Sequence, residues 1–243
     1  MMTRMLAAIS KSFGRLAVLT ALGLVSGAVD ALTISPVIVE LSPARRVVSV
    51  TVTNPSETAV NFQAGALAWS QPDGHDHYEE TADLMVVPPI AKIGPGASQI
   101  FRITTRTAPS PREQAYRVIL EDVTEETAAP DEATVSIRFS HSLPVFVAAS
   151  GKPRMEARLE PCAAPMGRGC VRLDNEGDRY LMIKALTIEG GAWRKEIPLG
   201  TRVLAGAWRE CTFDLPAKSV GPLQVRVDTS AGMFAGDIPA PFR

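Results

Sequence analysis

The sequence predicts an all-β chain of two antiparallel β-sandwich domains. Short runs of alternating apolar and polar residues recur along most of the chain, punctuated by turn signals such as Asn54-Pro55 and Gly94-Pro95-Gly96. No segment carries a convincing helical period. A small Pro/Gly break at residues 149–153 separates two sets of strands, predicting domains at 32–148 and 154–243.

The chain opens with a basic leader (Arg4, Lys11, Arg15) and an uncharged apolar run from Leu16 to Val29. Small side chains at Val29 and Ala31 place signal-peptide cleavage after Ala31, so that residues 1–31 form an export signal. The apolar run falls short of the roughly 20 residues of a membrane-spanning helix, and no later segment is apolar enough to insert in a membrane. Removing the leader leaves 22 basic against 25 acidic residues, a net charge of −3. No basic field is present to recruit nucleic acid.

The first expected strand, Leu32 to Leu41, is interrupted by Pro36, which confines it to an edge or a bend. Val47–Thr53 alternates and stops at Asn54-Pro55. Val60–Trp69 follows, then a polar loop from Gln71 to His77. Leu84–Pro88, Pro89–Ile93, Ser98–Thr104 and Tyr116–Val123 are the next strands, and an acidic loop over 125–132 leads to the most informative segment, residues 133–147. There Val135, Ile137, Phe139, Leu143, Val145 and Val147 share one parity, broken only by His141, and Phe146 is the one large apolar side chain on the other. Such a row either fills its own sandwich or is offered to another protein. In the second half, strands are expected at 154–160, 170–173, 180–189, 203–213 and 223–227. Of three cysteines, Cys162 and Cys170 bracket a Pro/Gly turn and are the preferred disulfide in an oxidising compartment, with Cys170–Cys211 as the alternative.

Several blocks resemble the periplasmic pilus-assembly chaperones of chaperone–usher systems, the PapD-like family. They are Leu32-Thr-Ile-Ser-Pro36, Val50-Thr-Val-Thr-Asn54, Trp69, Pro88-Pro89 with Gly94-Pro95-Gly96, Phe101-Arg-Ile-Thr104, Glu113-Gln-Ala-Tyr-Arg117 and Ser142-Leu-Pro-Val-Phe146. Glu113–Arg117 and Leu143–Phe146 are most similar to the archaic branch. The resemblance implies a boomerang of two immunoglobulin-like β-sandwich domains in the periplasm that binds pilin subunits lacking a final strand. The chaperone lends its own strand to the subunit, then delivers it to an outer-membrane usher. By alignment Val135, Ile137 and Phe139 occupy the donor positions. The family's usual pair of basic residues for the subunit's C-terminal carboxylate falls here on Ile38 and on Pro144 or Ser142. The resemblance therefore leaves Arg117 as the first candidate anchor and Arg138 as the second. Self-association of the free chain is expected, because an exposed apolar strand is an aggregation hazard.

No nucleophile elbow, phosphate loop or zinc-protease helix is present, so no enzymatic activity and no cofactor is expected. His75-Asp76-His77 lacks a third ligand nearby and reads as a solvated loop. The competing reading is an adhesive or structural pilus module, which would be stable without a partner.

Overall fold

The structure, a computed structural model, describes residues 32–124, 138–215 and 221–238. The expected export signal lies outside them. The first ten strands are β1 (Thr33–Ser35), β2 (Val39–Leu41), β3 (Val47–Thr53), β4 (Val60–Ser70), β5 (His77–Glu80), β6 (Leu84–Val87), β7 (Ile90–Ile93), β8 (Ser98–Thr105), β9 (Gln114–Asp122) and β10 (Ser140–Val147). They build two facing sheets. One runs β1-β3-β8-β6; the other runs β2-β10-β9-β4-β5, with β7 also paired to β4. Pro36 falls where the chain leaves the first sheet after β1 to join the second as β2, a bend that suits a residue without an N–H. Strict alternation in β3 sends Val48, Val50 and Val52 inward against Phe101 and Ile103 of β8 and against Phe62, Tyr116, Val118, Leu120 and Val145 of the opposite sheet.

The remaining strands are β11 (Ala157–Pro161), β12 (Arg168–Asn175), β13 (Leu181–Gly190), β14 (Trp193–Val203), β15 (Trp208–Asp214), β16 (Leu223–Thr229) and β17 (Gly232–Ile238). They form a β11-β12-β15 sheet and a β14-β13-β16-β17 sheet around Val171, Leu173, Ile183, Leu186, Ile188, Phe213 and Val225. Cys162 and Cys170 are joined across the β11–β12 hairpin, with Cα atoms 5.0 Å apart. Cys211 pairs in register with Val171 and shares its core-facing side, so strand alternation turns it away from Cys170. Burial pushes its thiol up to about 11.

Three strands escape the sequence pattern: β5, β14 and β17. Each ends its sheet, and edge strands tolerate charge, Pro and Gly that blur the period-2 signal. The expected strand at 203–213 is two strands, because the chain turns between Leu204 and Ala207 with Gly206 at φ 70°.

Each sandwich contains the same buried polar device. Asn54, ending β3, donates from Nδ2 to the carbonyls of Thr58 (2.7 Å), Ile93 (3.2 Å) and Gly94 (3.2 Å). Asn175, ending β12, donates to those of Arg179 (2.7 Å), Val203 (3.0 Å) and Leu204 (3.0 Å). Both residues are buried, and each ties the end of one strand to the end of another and the turn that follows it.

The two sandwiches belong to one compact unit. Their joint is made by side chains acting on backbone. Gln71 Oε1 accepts from the Leu204 N–H (2.9 Å), and its Nε2 donates to the Arg202 carbonyl (3.1 Å). The Glu113 N–H donates to the Asp178 carbonyl (2.9 Å), while Glu113 Oε1 accepts from the Tyr180 N–H (2.8 Å). Asp76 Oδ1 gathers Gln71 Nε2 (2.6 Å), Trp69 Nε1 (3.1 Å) and Arg209 Nη2 (2.6 Å). Burial works to raise the Asp76 carboxyl, yet these hydrogen bonds and the Arg209 charge hold it below the usual carboxylate range. Trp208 lies flat on Gly74, where a Cβ would come within 2.5 Å of the ring.

Two outcomes follow for stability. Asn54→Ala removes three donated hydrogen bonds, although the Thr58 carbonyl keeps Ser56 Oγ and the Gly94 carbonyl keeps the Ala97 N–H, and is expected to cost about 1–3 kcal/mol in urea unfolding, with Asn175→Ala similar. Burial, with Glu40 and Asp178 nearby, pushes the Glu113 carboxyl up to about 7 against the opposing Tyr180 N–H and Arg179 charge. The folded state therefore keeps a proton that the unfolded chain releases near pH 4.5. The stabilisation is complete below that pH and is lost as pH rises through about 7. Glu113→Gln should flatten this decline, by on the order of 2 kcal/mol between pH 5 and 7.5 in paired denaturation curves. An unchanged pH profile would show that Glu113 titrates normally.

Candidate functional site

Strand β10 carries the apolar row singled out in the sequence. Its downstream members, Leu143, Val145 and Val147, fill the core of their own sandwich. Upstream, the row leaves that core: His141 is half-buried beside Phe62 (ring centroids 6.4 Å apart), and Phe139 is 61% exposed. The Asp122 N–H still donates to the Phe139 carbonyl (3.0 Å), so the chain remains aligned with β9 at Phe139. Val135 and Ile137, the other two expected donor positions, lie outside the described residues.

Backbone pairing changes along the same strand. Strand β9 pairs with β10 over its whole length, Ser140 to Val147. The parallel partner β2 covers only Val145 to Val147. From Ser140 to Pro144 one edge of β10 therefore has no strand partner among the described residues. Beside it opens a groove of about 630 Å³ walled by Leu32, Ile34, Val37, His141 and Leu143. A bare edge next to apolar walls is a template for strand addition.

Phe146, the apolar exception on the opposite parity, has a partner in the second sandwich. Its ring stacks on Tyr180 at 4.0 Å and 19°, and lies 6.0 Å from Trp69. Leu204, Ile38 and Ala207 complete this small cluster between the sandwiches.

Arg117 is held against the same cluster. Alternation in β9 buries Tyr116, Val118 and Leu120 and turns Arg117 outward. Its guanidinium carbon sits 4.1 Å above the Trp69 ring and 5.8 Å from that of Tyr78, a cation–π arrangement. Its Nε is buried without a hydrogen-bond partner, and the side chain makes no ion pair among the described residues. In the register, Arg117 is directly opposite Pro144, and Pro144 and Ile38 each immediately precede the first β10–β2 pair, Val145 and Val39. Arg117 thus occupies the same face and row as the two positions where the resemblance leads one to look for basic residues, one strand over. Arg138 is exposed and makes no ring contact or ion pair among the described residues.

The His75-Asp76-His77 motif is not gathered as a ligand set. His77 pairs with Asp73 at 2.9 Å, and Asp76 belongs to the joint. Sequence reading missed Trp69, Gln71 and Asp76 as joint residues. The one available signal was Phe146, a large apolar side chain on a parity otherwise polar.

The N-terminal domain model of the pili and flagellar-assembly chaperones matches residues 31–151. No curated protein sequence matches the chain. Among solved structures, a chain of the CsuC–CsuE chaperone–tip adhesion subunit pre-assembly complex, from the archaic chaperone–usher Csu pili of Acinetobacter baumannii, shares 21% identity. It superposes with a TM-score of 0.64 over 86% of this chain and 97% of that one. The class 5 fimbriae chaperone CfaA gives 15% identity and a TM-score of 0.59 over 87% and 100%. The complex of Salmonella enterica SafA pilin with the SafB chaperone gives 16% and 0.57 over 86% and 96%. At these identities the structural likeness speaks for the fold, and it agrees with the family assignment made by the N-terminal half. The chain belongs to the PapD-like family of pilus-assembly chaperones.

Proposed function

We propose that this chaperone, exported to the periplasm, binds pilin subunits by donor-strand complementation and passes them to an outer-membrane usher. The observation that carries the reading is the bare edge of β10 from Ser140 to Pro144, in line with a side-chain row that leaves its own core at Phe139. An incomplete subunit exposes apolar core and unpaired backbone groups. The strand supplies both deficits at once: main-chain hydrogen bonds along the edge, and Val135, Ile137 and Phe139 as alternate side chains for the subunit's empty positions. Each such burial contributes roughly 1.5–3 kcal/mol. Arg117 is the proposed partner of the subunit's terminal carboxylate. Its guanidinium lies over the Trp69 ring and makes no ion pair among the described residues, which suits charge-assisted recognition.

Periplasmic pull-down of tagged protein in the native host tests both roles. Wild type is expected to recover a small pilin-like subunit one-to-one. Ile137→Asp places a charge in the subunit's apolar groove and should abolish recovery while the chaperone remains folded. Arg117→Ala should weaken the complex about 10- to 100-fold, as expected for losing a hydrogen bond to a charged group. Equal recovery by wild type and Ile137→Asp would return the strand to an internal role and favour the adhesive-module reading.

A further inference from the structure

The apolar row of β10 has one break, and it falls where the row leaves its core. His141 stands between Phe139, which is exposed, and Leu143, which is buried in the first sandwich. Its ring is half-buried, 6.4 Å from that of Phe62. With Leu32, Ile34, Val37 and Leu143 it walls the groove beside the bare edge. His77 holds Asp73, but His141 makes no side-chain hydrogen bond or ion pair among the described residues.

Few charges face this ring. Across β9 its register partner is Leu120. Asp122, two residues on, is the one acid of β9 beside it that alternation turns to the same side. That carboxylate stands opposite Phe139, and its Oδ1 accepts from the Thr124 N–H and hydroxyl. Diagonal neighbours on paired strands are about 7–8 Å apart, too far for an ion pair. Glu121, paired with Ser140, and Arg138 belong to the opposite parity and face away. Strand β4 presents Phe62 between Asn61 and Gln63, and the segment 32–37 carries no titratable side chain.

We propose that His141 decides which form of the chaperone a subunit accepts: the donated strand is taken up with this imidazole neutral, so capture is strong at neutral pH and weakens as the medium acidifies. The inference rests on the donor-strand reading given above. A subunit strand laid along Ser140–Pro144 fills the groove and removes water from the ring. A neutral imidazole can be covered in this way. An imidazolium would be a desolvated charge with no partner at contact distance, which is costly. An ordinary imidazole changes charge near pH 6.5. The free chain, with its ring partly in water, holds a proton more readily than the complex does. Affinity is therefore full above that range and falls as pH drops through it, by at most about tenfold per pH unit.

The test is a competition for limiting subunit. The complex co-purified with full-length wild type is equilibrated with tagged His141→Gln chaperone between pH 7.5 and 5.5, and the subunit held by each is measured. Both chaperones carry the same Glu113, so its titration cancels from the ratio. The partition is expected to move toward His141→Gln about three- to tenfold over this range. A constant ratio, or a shift toward wild type, would overturn the proposal. A second readout uses wild type alone, labelled with ¹³C-histidine, with His141→Gln assigning its signal among the three histidines. The His141 signal is expected to change form with pH in the free chain and to stay neutral to pH 5.5 in the complex. Identical titration in both would overturn the proposal and leave the donor strand standing. If no subunit co-purifies with wild type at pH 7.5, the donor-strand reading falls and this inference with it.

Discussion

Strand β10 is buried on both faces from Leu143 to Val147 and loses that cover upstream. One face completes the core of the first sandwich, and the other, through Phe146, is stacked against Tyr180 of the second. This double burial fixes the downstream half of the strand in place. The upstream half, freed of β2 and of the core, can then project in register from an anchored base. A donor strand needs that combination: a rigid root that sets register, and a bare edge that has not already been paired.

The same burial places the proposed charge site. Phe146 brings Tyr180 and Trp69 together, and Trp69 is the surface on which Arg117 lies. Gln71 and Asp76 lock the loop after β4 onto the second sandwich, so the ring beneath Arg117 is tied to the position of both sandwiches. Strand edge and guanidinium are consequently set by one small cluster centred on Phe146; in the proposed reading this couples the register of a donated strand to the reach toward a subunit's terminus.

Much of this was legible in the sequence for a physical reason. Central strands have cores on one or both faces, and their alternation is strong; β3, β4, β8 and β9 could be read directly. The edge strands β5, β14 and β17 could not, since partial exposure lets charge, Pro and Gly into them. The hairpin disulfide was readable because Cys162 and Cys170 bracket a turn. Gln71 and Asp76 were not, because an amide and a carboxylate in a polar loop look solvated until the second sandwich is brought against them. Arg117 was reached through resemblance; its placement opposite Pro144 emerges only once β9 and β10 are in register.

The central claim is that the bare edge of β10 forms main-chain hydrogen bonds with a subunit. Amide hydrogen exchange, comparing the free chain with its co-purified subunit complex, tests it most directly. The account predicts slowed exchange concentrated in residues 138–143 and the segment leading into them, with Val145–Val147 already protected in the free chain. Unchanged exchange over 138–143, with new protection confined to the second sandwich, would contradict it.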